Sequence, residues 1–394
     1  MRFALFRSRA EAPSALDQAI ALSERLLGPG GEAEGTALAT RLAAACRGFD
    51  GDERLAYFHW LVDALAPPVD ALASAARCYL AQPSVANAAS LTSAAEPRRQ
   101  QLLRRLNTAP GGTALVVGLR AQLLGALAAH PALMPLEDDL RHLLGSWFNR
   151  GFLELRRIDW QSPAAILEKL IAYEAVHAIS GWNDLRSRLA DDRRCYGFFH
   201  PALPGEPLIF VEVALTQEIS AAIAPLLDER RDVSGPPPSA AIFYSISNCQ
   251  PGLRGVSFGN LLIKQITMLL AAEFPSLGCF ATLSPVPGFQ RWLDRHRLSA
   301  DTPAELKRLC ARYLTTNRLV DADASPDPVA HFHLSNGARL ERVNLGADLS
   351  EKGLAQSRGT MVNYRYDRES IDRNMVTYAR DGTVARSTAV NALL

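Results

Sequence analysis

The chain has 394 residues, 48% of them hydrophobic, and a formal net charge of +1. This length allows two domains with packed cores. A charge so near zero favours neither nucleic acid nor a membrane surface as a partner, and no apolar run reaches the ~18 residues that a membrane span requires. The N-terminus has no apolar core of the kind found in secretory signals, so we expect a cytoplasmic protein.

Residues 1–155 are predicted to form an all-helical bundle, because alanine and leucine are frequent and apolar residues recur with helical spacing. The first helix is expected to begin at a capping box of Ser14 and Asp17 and to end at Gly28. The last helical run is predicted to continue through "LEDDLRHLLGSWFNRGFLELRRIDW". We find no cluster of chemistry-bearing residues in this half, and expect it to support the other half or to form oligomers.

Residues 156–394 mix strand-like and helical segments, which predicts an α+β fold around one main sheet. In a strand over 329–334, His331 and His333 would share one face, with Phe332 on the other. A helix is predicted over 260–275, and strands are predicted over 206–215, 240–247, 278–283, 329–334, 338–345 and 361–366.

Two segments in this half, around His177 and around Glu206, are interpreted as structural. Glu174 and His177 lie three residues apart on one face of a predicted helix and can interact there. Glu206, in "PGEP", is given the same structural interpretation.

The six cysteines are scattered, and none forms a Cys-x-x-Cys pair, so the spacing of a zinc site is missing. Such cysteines in a cytoplasmic chain are most often free, buried thiols. His331 and His333 could form a metal pair, but the sequence offers no obvious third ligand. We therefore expect no bound metal.

A glycine-rich loop follows the strand that ends near Ser247. Gly252, Gly255 and Gly259 lie between this strand and the helix predicted over 260–275. Free backbone N–H groups at such a helix start can bind an anion. The pattern is neither a Walker loop nor a dinucleotide fingerprint, and taken alone it is equally typical of a plain turn. It does resemble the pyrophosphate-binding turn of GNAT-type acyltransferases, which bind coenzyme A between two splayed strands.

Ser284 directly follows the next predicted strand, in "ATLSPVPGF". Serine, proline and glycine are turn-forming residues, so the segment is explained by a turn alone. In a GNAT-like arrangement, however, the end of this strand would face the acyl group of a bound thioester. Pro285 and Pro287 would then hold a reactive hydroxyl in place.

Six long segments of the second half match one known family in order. They are "YEAVHAISGWNDLRSRL", "RRCYGFFHPALPGEPLIFVEVALT", "AAIFYSISNCQPGLRGVSFGN", "EFPSLGCFATLSPVPGF", "DPVAHFHLSNGARLERVNLGADLS" and "MVNYRY". On these segments the chain resembles malonyl-CoA decarboxylase, strongly over residues 140–370. This family pairs a helical N-terminal domain with a GNAT-like mixed α/β acyl-CoA domain and converts malonyl-CoA to acetyl-CoA and CO2.

The resemblance implies roles for particular residues. Ser284 and His333 correspond to the family's catalytic serine and histidine, and Tyr366 to the tyrosine near its acyl pocket. One position departs from the pattern, because animal members carry a glutamate at the place of Ser257. The coenzyme A loop corresponds to Arg254, Gly255, Val256, Ser257, Phe258, Gly259 and Asn260.

These residue types suit a decarboxylation. Loss of CO2 leaves electrons on the α-carbon, which the thioester carbonyl delocalises as an enolate, so no cofactor is needed beyond the coenzyme A of the substrate. Hydrogen-bond donors can stabilise the enolate oxygen, and a side chain such as His333 can help to protonate the carbon. Ser284 can accept, relay or donate a hydrogen bond, and the sequence does not separate these roles.

Two other functions remain open from the residues. One is an acyltransferase on the same scaffold, which would not require both Ser284 and His333. The other is a non-catalytic coenzyme A-binding sensor or scaffold that recruits a partner through its helical half. The expected partners are malonyl-CoA and, as the family forms oligomers, a second copy of the chain in a dimer or tetramer.

Overall fold

The computed structural model describes residues 13–29, 34–228, 236–256, 262–316 and 327–394. Its strands are β1 (Glu154–Ile158), β2 (Arg193–Phe199), β3 (Pro207–Thr216), β4 (Ala240–Asn248), β5 (Cys279–Thr282), β6 (Ser284–Pro285), β7 (Arg339–Asn344) and β8 (Met361–Arg365).

The helices of the first part are α1 (Ala15–Leu27), α2 (Gly35–Arg47), α3 (Gly51–Asp63), α4 (Val69–Ala81), α5 (Val85–Ala95), α6 (Arg98–Leu106), α7 (Gly112–Ala126) and α8 (Met134–Trp147). The later helices are α9 (Ala164–Tyr173), α10 (Trp182–Arg188), α11 (Ala224–Leu227), α12 (Leu262–Glu273), α13 (Phe289–His296), α14 (Pro303–Thr315), α15 (Pro328–Ser335), α16 (Glu351–Ser357), α17 (Ile371–Asp381) and α18 (Thr388–Asn391). Short 3₁₀ turns cover Pro131–Leu133, Arg150–Phe152 and Pro251–Leu253.

The described chain forms two compact units. The first runs through Phe152 and also takes in Pro201–Pro204 and Gln250–Ser257, and the second contains the remainder. The predicted division into domains 1–155 and 156–394 concerns independent folding and stays a prediction. Across the described segments, no helix combines the length and apolar content needed to cross a bilayer.

Local signals explain how the first helices begin. Ser14 and Asp17 form the predicted capping box of α1, each satisfying a backbone N–H of the other. Asp50 and Glu53 form a second one at α3. Capping satisfies N–H groups that have no partner inside the helix.

A buried ion pair fixes the start of the glycine-rich loop to α7. Arg120 is 1% exposed and binds both carboxylate oxygens of Glu137, at 2.9 and 2.6 Å. Its remaining terminal nitrogen donates to the carbonyl of Gly252 at 2.7 Å. Gly252 has no room for a side chain, because an added Cβ would lie 1.9 Å from the carbonyl oxygen of Val117. The start of the loop is therefore held in a defined position against α7.

The second unit is built on one mixed sheet with the order β1-β2-β3-β4-β5-β8-β6, and β7 also pairs with β8. β4 and β5 are parallel, and their register ends at Phe243 and Thr282, whereas β4 continues beside β3 to Asn248. Pairing between the two parallel strands thus ends at Phe243, whereas β4 runs on beside β3. The predicted α+β class, a helical part followed by a mixed sheet domain, is confirmed.

The predicted strand over 329–334 is wrong, because these residues lie in helix α15. Pro328 occupies the first helical turn and the side chain of Asp327 caps it, two features that favour a helix. At about 100° per residue, His331 and His333 project in different directions instead of sharing a face.

Two further predictions about local structure are wrong. The helical run predicted through residue 160 ends with α8 at Trp147, and Glu154–Ile158 instead pairs with β2 as strand β1. Helix α9 ends at Tyr173, so Glu174 and His177 do not share a helix face. Strand β2 was not predicted. For β1 and β2 the partner strand lies far away in the sequence.

Replacing Arg120 with leucine is expected to destabilise the protein by about 3–5 kcal/mol, because Glu137 would keep a buried charge without a partner. The double replacement Arg120→Leu with Glu137→Leu should recover most of this loss. Urea unfolding of the three proteins measures both effects. A single replacement that costs less than about 1 kcal/mol would contradict this role of the pair.

Candidate active site

Ser284 lies where the sheet passes from β5 to β6. Its backbone pairs with Val362 of β8, and Pro285 pairs with Met361. Leu283, just before it, donates to the carbonyl of Phe243 at the end of the β4–β5 ladder. Ser284 is 5% exposed. The serine therefore lies directly after the point where the two parallel strands cease to pair.

Helix α15 brings His333 to this serine, and Tyr366 follows directly after strand β8. The Nε2 atom of His333 is 3.0 Å from Ser284 Oγ, and its Nδ1 atom is 2.8 Å from the hydroxyl of Tyr366. The imidazole stacks on the ring of Tyr364, with centroids 4.7 Å apart. Three residues singled out from the sequence are thus in one hydrogen-bonded row.

Thr282 is a fourth member of the row that the sequence analysis missed. Ser284 Oγ donates to Thr282 Oγ1 at 2.8 Å, and the backbone N–H of Tyr364 donates to the same oxygen at 3.1 Å. Residues two apart in a strand share a face, so the spacing of Thr282 and Ser284 was the available signal. The partner Tyr364 could not be found from local sequence.

The hydrogen bonds of the row all run in the same donor-to-acceptor direction. Because the Ser284 hydrogen goes to Thr282, its oxygen is free to accept a hydrogen from Nε2 of His333. A neutral imidazole carries one N–H, so Nδ1 accepts from the hydroxyl of Tyr366. We therefore assign the order Tyr366 to His333 to Ser284 to Thr282.

Burial keeps this row uncharged. It lowers the pKa of His333 to about 3 and raises the pKa of Tyr366 well above its ordinary value. Loss of hydration disfavours the charged form of each group. At neutral pH the histidine is therefore an uncharged donor and acceptor.

The structure describes part of the segment that the family resemblance assigns to coenzyme A binding. Arg254, Gly255 and Val256 fall in the first compact unit, and Gly255 has a φ of +74°, a conformation that favours glycine. Ser257, Phe258, Gly259 and Asn260, including the position that departs from the family pattern, lie outside the described residues.

Glu174 makes a buried polar cluster away from this row. Its carboxylate accepts from the backbone N–H of His177 at 2.7 Å and from Ser245 and Ser247 at 2.8 and 3.1 Å. Glu206 pairs with Lys169 at 2.8 Å. These contacts join loop, strand and helix, which is a structural arrangement.

The described residues contain no group of three or more His, Cys, Asp or Glu side chains placed to hold a metal ion. His331, the possible partner of His333 in a metal pair, has its Nδ1 atom 3.1 Å from the hydroxyl of Tyr378.

Comparison with known proteins gives consistent matches over both parts of the chain. The malonyl-CoA decarboxylase C-terminal domain matches residues 151–306 and 298–394, and the malonyl-CoA decarboxylase N-terminal domain matches residues 65–148.

Relatives of known name match at similar levels. "Malonyl-CoA decarboxylase, mitochondrial" of Anser anser anser is 37% identical over 334 residues, covering 72% of this chain and 66% of the goose protein. The protein of the same name from Mus musculus is 36% identical over 357 residues, covering 76% of this chain and 71% of its own.

Solved structures match along nearly the whole chain. Malonyl-CoA decarboxylase from Rhodopseudomonas palustris is 46% identical with a TM-score of 0.89, covering 96% of this chain and all of that one. The Agrobacterium vitis structure has the same identity and TM-score, with 95% and 99% covered. The names shared by these proteins describe a carboxy-lyase, an enzyme that breaks a carbon–carbon bond to release CO2. The chain belongs to the malonyl-CoA decarboxylase family.

The burial of His333 makes stability depend on pH. Its pKa is about 3 in the folded protein and ~6.5 in an unfolded chain, so between these values the unfolded chain binds the extra proton. The stabilisation is complete above ~pH 6.5 and is lost as pH falls toward 3. His177, whose pKa burial lowers to about 4, adds to the same trend.

A His333→Phe variant tests this, because the ring still stacks on Tyr364 but no longer titrates. Its unfolding free energy, measured by urea unfolding at several pH values, should fall less steeply from pH 6.5 to 4 than that of the wild type. Equal slopes would show that His333 is not buried as an uncharged imidazole.

Proposed function

We propose that the protein decarboxylates malonyl-CoA to acetyl-CoA through a thioester enolate, and that Ser284 and His333 deliver the proton that completes the reaction. The buried row of hydrogen bonds that passes through Ser284, where the pairing of β4 and β5 ends, carries this proposal. Family membership supports the substrate and the reaction type.

The reaction consumes one proton. The bond between the α-carbon and the carboxylate breaks, CO2 leaves, and the electron pair moves into the thioester as an enolate. A C–H bond then forms at the α-carbon. A pantetheine arm bound where β4 and β5 cease to pair would bring the reacting carbon to Ser284.

The row starts uncharged and can supply this proton. In our proposal the hydroxyl of Ser284 turns its hydrogen from Thr282 to the α-carbon and transfers it there, and Nε2–H of His333 replaces it. The hydroxyl of Tyr366 then gives its proton to Nδ1 of His333, and water reprotonates Tyr366 when the product leaves. Proton transfer by positioned side chains contributes roughly 10²–10⁴-fold in rate. The thioester itself accepts the electrons, so the proposal requires no cofactor.

The segment from Arg254 to Asn260 is proposed to bind the phosphates of coenzyme A. Gly252, which precedes it, is fixed by Arg120, and backbone N–H groups before a helix bind anions. Cytoplasmic localisation stays a prediction, and the goose and mouse relatives are named mitochondrial.

The test is release of CO2 and acetyl-CoA from malonyl-CoA by chelator-treated protein. Ser284→Ala and His333→Ala should each lower kcat by at least about 100-fold, because each interrupts the proton row. His331→Ala is the matched control, since it lies on the same helix and bonds Tyr378 instead, and it should stay within about 3-fold of the wild type.

Other outcomes identify the alternatives. Acyl transfer to an amine that survives His333→Ala would indicate an acyltransferase. Malonyl-CoA binding without turnover in the wild type would indicate a coenzyme A-binding sensor or scaffold.

We further propose a homo-oligomer, a dimer or tetramer, formed through the helical part. Within the described chain, α4 and α5 contact each other yet bury none of their residues. Val69, Leu80 and Val85 are 78%, 79% and 90% exposed. An apolar pair of helices with so few charges matches a second copy of itself better than a charged partner.

Introducing glutamate at Leu80 and Val85 should shift the protein toward the monomer in sedimentation velocity, because a charge would be buried between copies. Val376→Glu, at another exposed apolar position, is the matched control and should leave the mass unchanged. A wild-type monomer, or an oligomer that both sets of replacements leave intact, would refute this interface.

A further inference from the structure

The hydrogen bond between Ser284 and His333 joins two separate pieces of chain. Ser284 precedes the turn into α13, whereas His333 lies in α15, 49 residues later. Their 3.0 Å separation therefore depends on whatever fixes that turn against that helix.

We propose that Asp327 is a positioning residue whose carboxylate fixes the turn after Ser284 to the first turn of α15, and thereby sets the distance between the serine and the histidine. This inference rests on the proposed decarboxylase function. Asp327 is 4% exposed, so the carboxylate is committed to protein contacts.

One carboxylate oxygen of Asp327 holds the helix. Its Oδ1 atom accepts from the backbone N–H groups of Val329 and Ala330 at 3.0 and 3.2 Å. His333 lies six residues further on, about 9 Å along the axis at 1.5 Å per residue. A short, capped helix carries the ring as a rigid unit, so fixing its start fixes the imidazole.

The other oxygen holds the turn. Its Oδ2 atom accepts from the backbone N–H of Gly288 at 2.9 Å and from the hydroxyl of Tyr313 at 3.2 Å. Gly288 follows Ser284 by four residues, with Pro285 and Pro287 between them. Because each proline fixes one backbone dihedral, a displacement of Gly288 is transmitted toward the serine.

The fit at Gly288 leaves no space for adjustment. A Cβ added there would lie 2.2 Å from the Tyr313 hydroxyl and 3.1 Å from Oδ2 of Asp327. None of the four hydrogen bonds of the carboxylate goes to Ser284 or His333. Asp327 therefore acts on the site through the two chain segments that it joins.

The variant Asp327→Asn distinguishes the contact with α15 from the contact with Gly288. The amide oxygen can still cap α15, but the amide NH₂ cannot accept from Gly288, so the turn loses its link. We expect kcat for malonyl-CoA to fall about 10–100-fold with KM within about 3-fold, since a misplacement near 1 Å costs on the order of 100-fold. Tyr313→Phe removes a bond to the same oxygen but keeps the Gly288 link, and should leave kcat within about 3-fold.

Gly288→Ala disturbs the same hydrogen bond at its donor residue and leaves Asp327 unchanged. It should give the same selective loss of kcat. All rates are expressed per folded molecule, with the folded fraction taken from urea unfolding. In a Ser284→Ala background, measured at high enzyme concentration, Asp327→Asn should cause little further loss, because the distance that it sets no longer matters.

Three results overturn the inference. One is wild-type kcat per folded molecule in both Asp327→Asn and Gly288→Ala. The second is equal loss in Tyr313→Phe, and the third is a full additional loss in the Ser284→Ala background, which would indicate a general structural role. These are distinct from failure of the proposed function, in which the wild type itself does not turn over malonyl-CoA or Ser284→Ala retains full activity.

Discussion

The imidazole of His333 is buried between Ser284, Tyr364 and Tyr366, and the other features of the site depend on its staying uncharged there. A charged ring would have no acceptor site for the Tyr366 hydroxyl and would lie 3% exposed without a counter-charge in its hydrogen-bond row. Burial disfavours that state. The hydrogen bonds therefore run in one direction, from the tyrosine to the serine and on to Thr282.

This uncharged row suits the proposed loss of CO2 from a thioester. In that proposal the substrate brings a carboxylate, and its charge moves onto an enolate oxygen before a proton neutralises it. A charged imidazolium in the site would pair with the substrate carboxylate in the ground state. Such pairing would not raise kcat, because only interactions that strengthen in the transition state do so. In the proposed mechanism, a neutral relay at the end of the β4–β5 ladder avoids that competition.

Sequence reasoning reached the general fold and three of the four residues in the row. Long apolar runs such as Pro207–Thr216 are recognisable as strands without tertiary information. Ser284, His333 and Tyr366 came from the family resemblance, not from spacing. Helix α15 was mistaken for a strand because the short pattern "VAHFHL" fits both structures. Its N-cap residue, Asp327, also accepts a hydrogen bond from Gly288, 39 residues away, which local sequence does not show. Thr282 is an unremarkable strand residue until its partner Tyr364 is known.

The measurement that addresses the central claim most directly is the ¹⁵N spectrum of the His333 ring at pH 7, assigned by comparison with the His333→Phe variant. The shift of a ring nitrogen differs between a bare and a protonated atom, so it reports which one carries hydrogen. We predict a protonated Nε2 facing Ser284 and a bare Nδ1 facing Tyr366. A proton on Nδ1, or on both nitrogens, would contradict the proposed direction of the row.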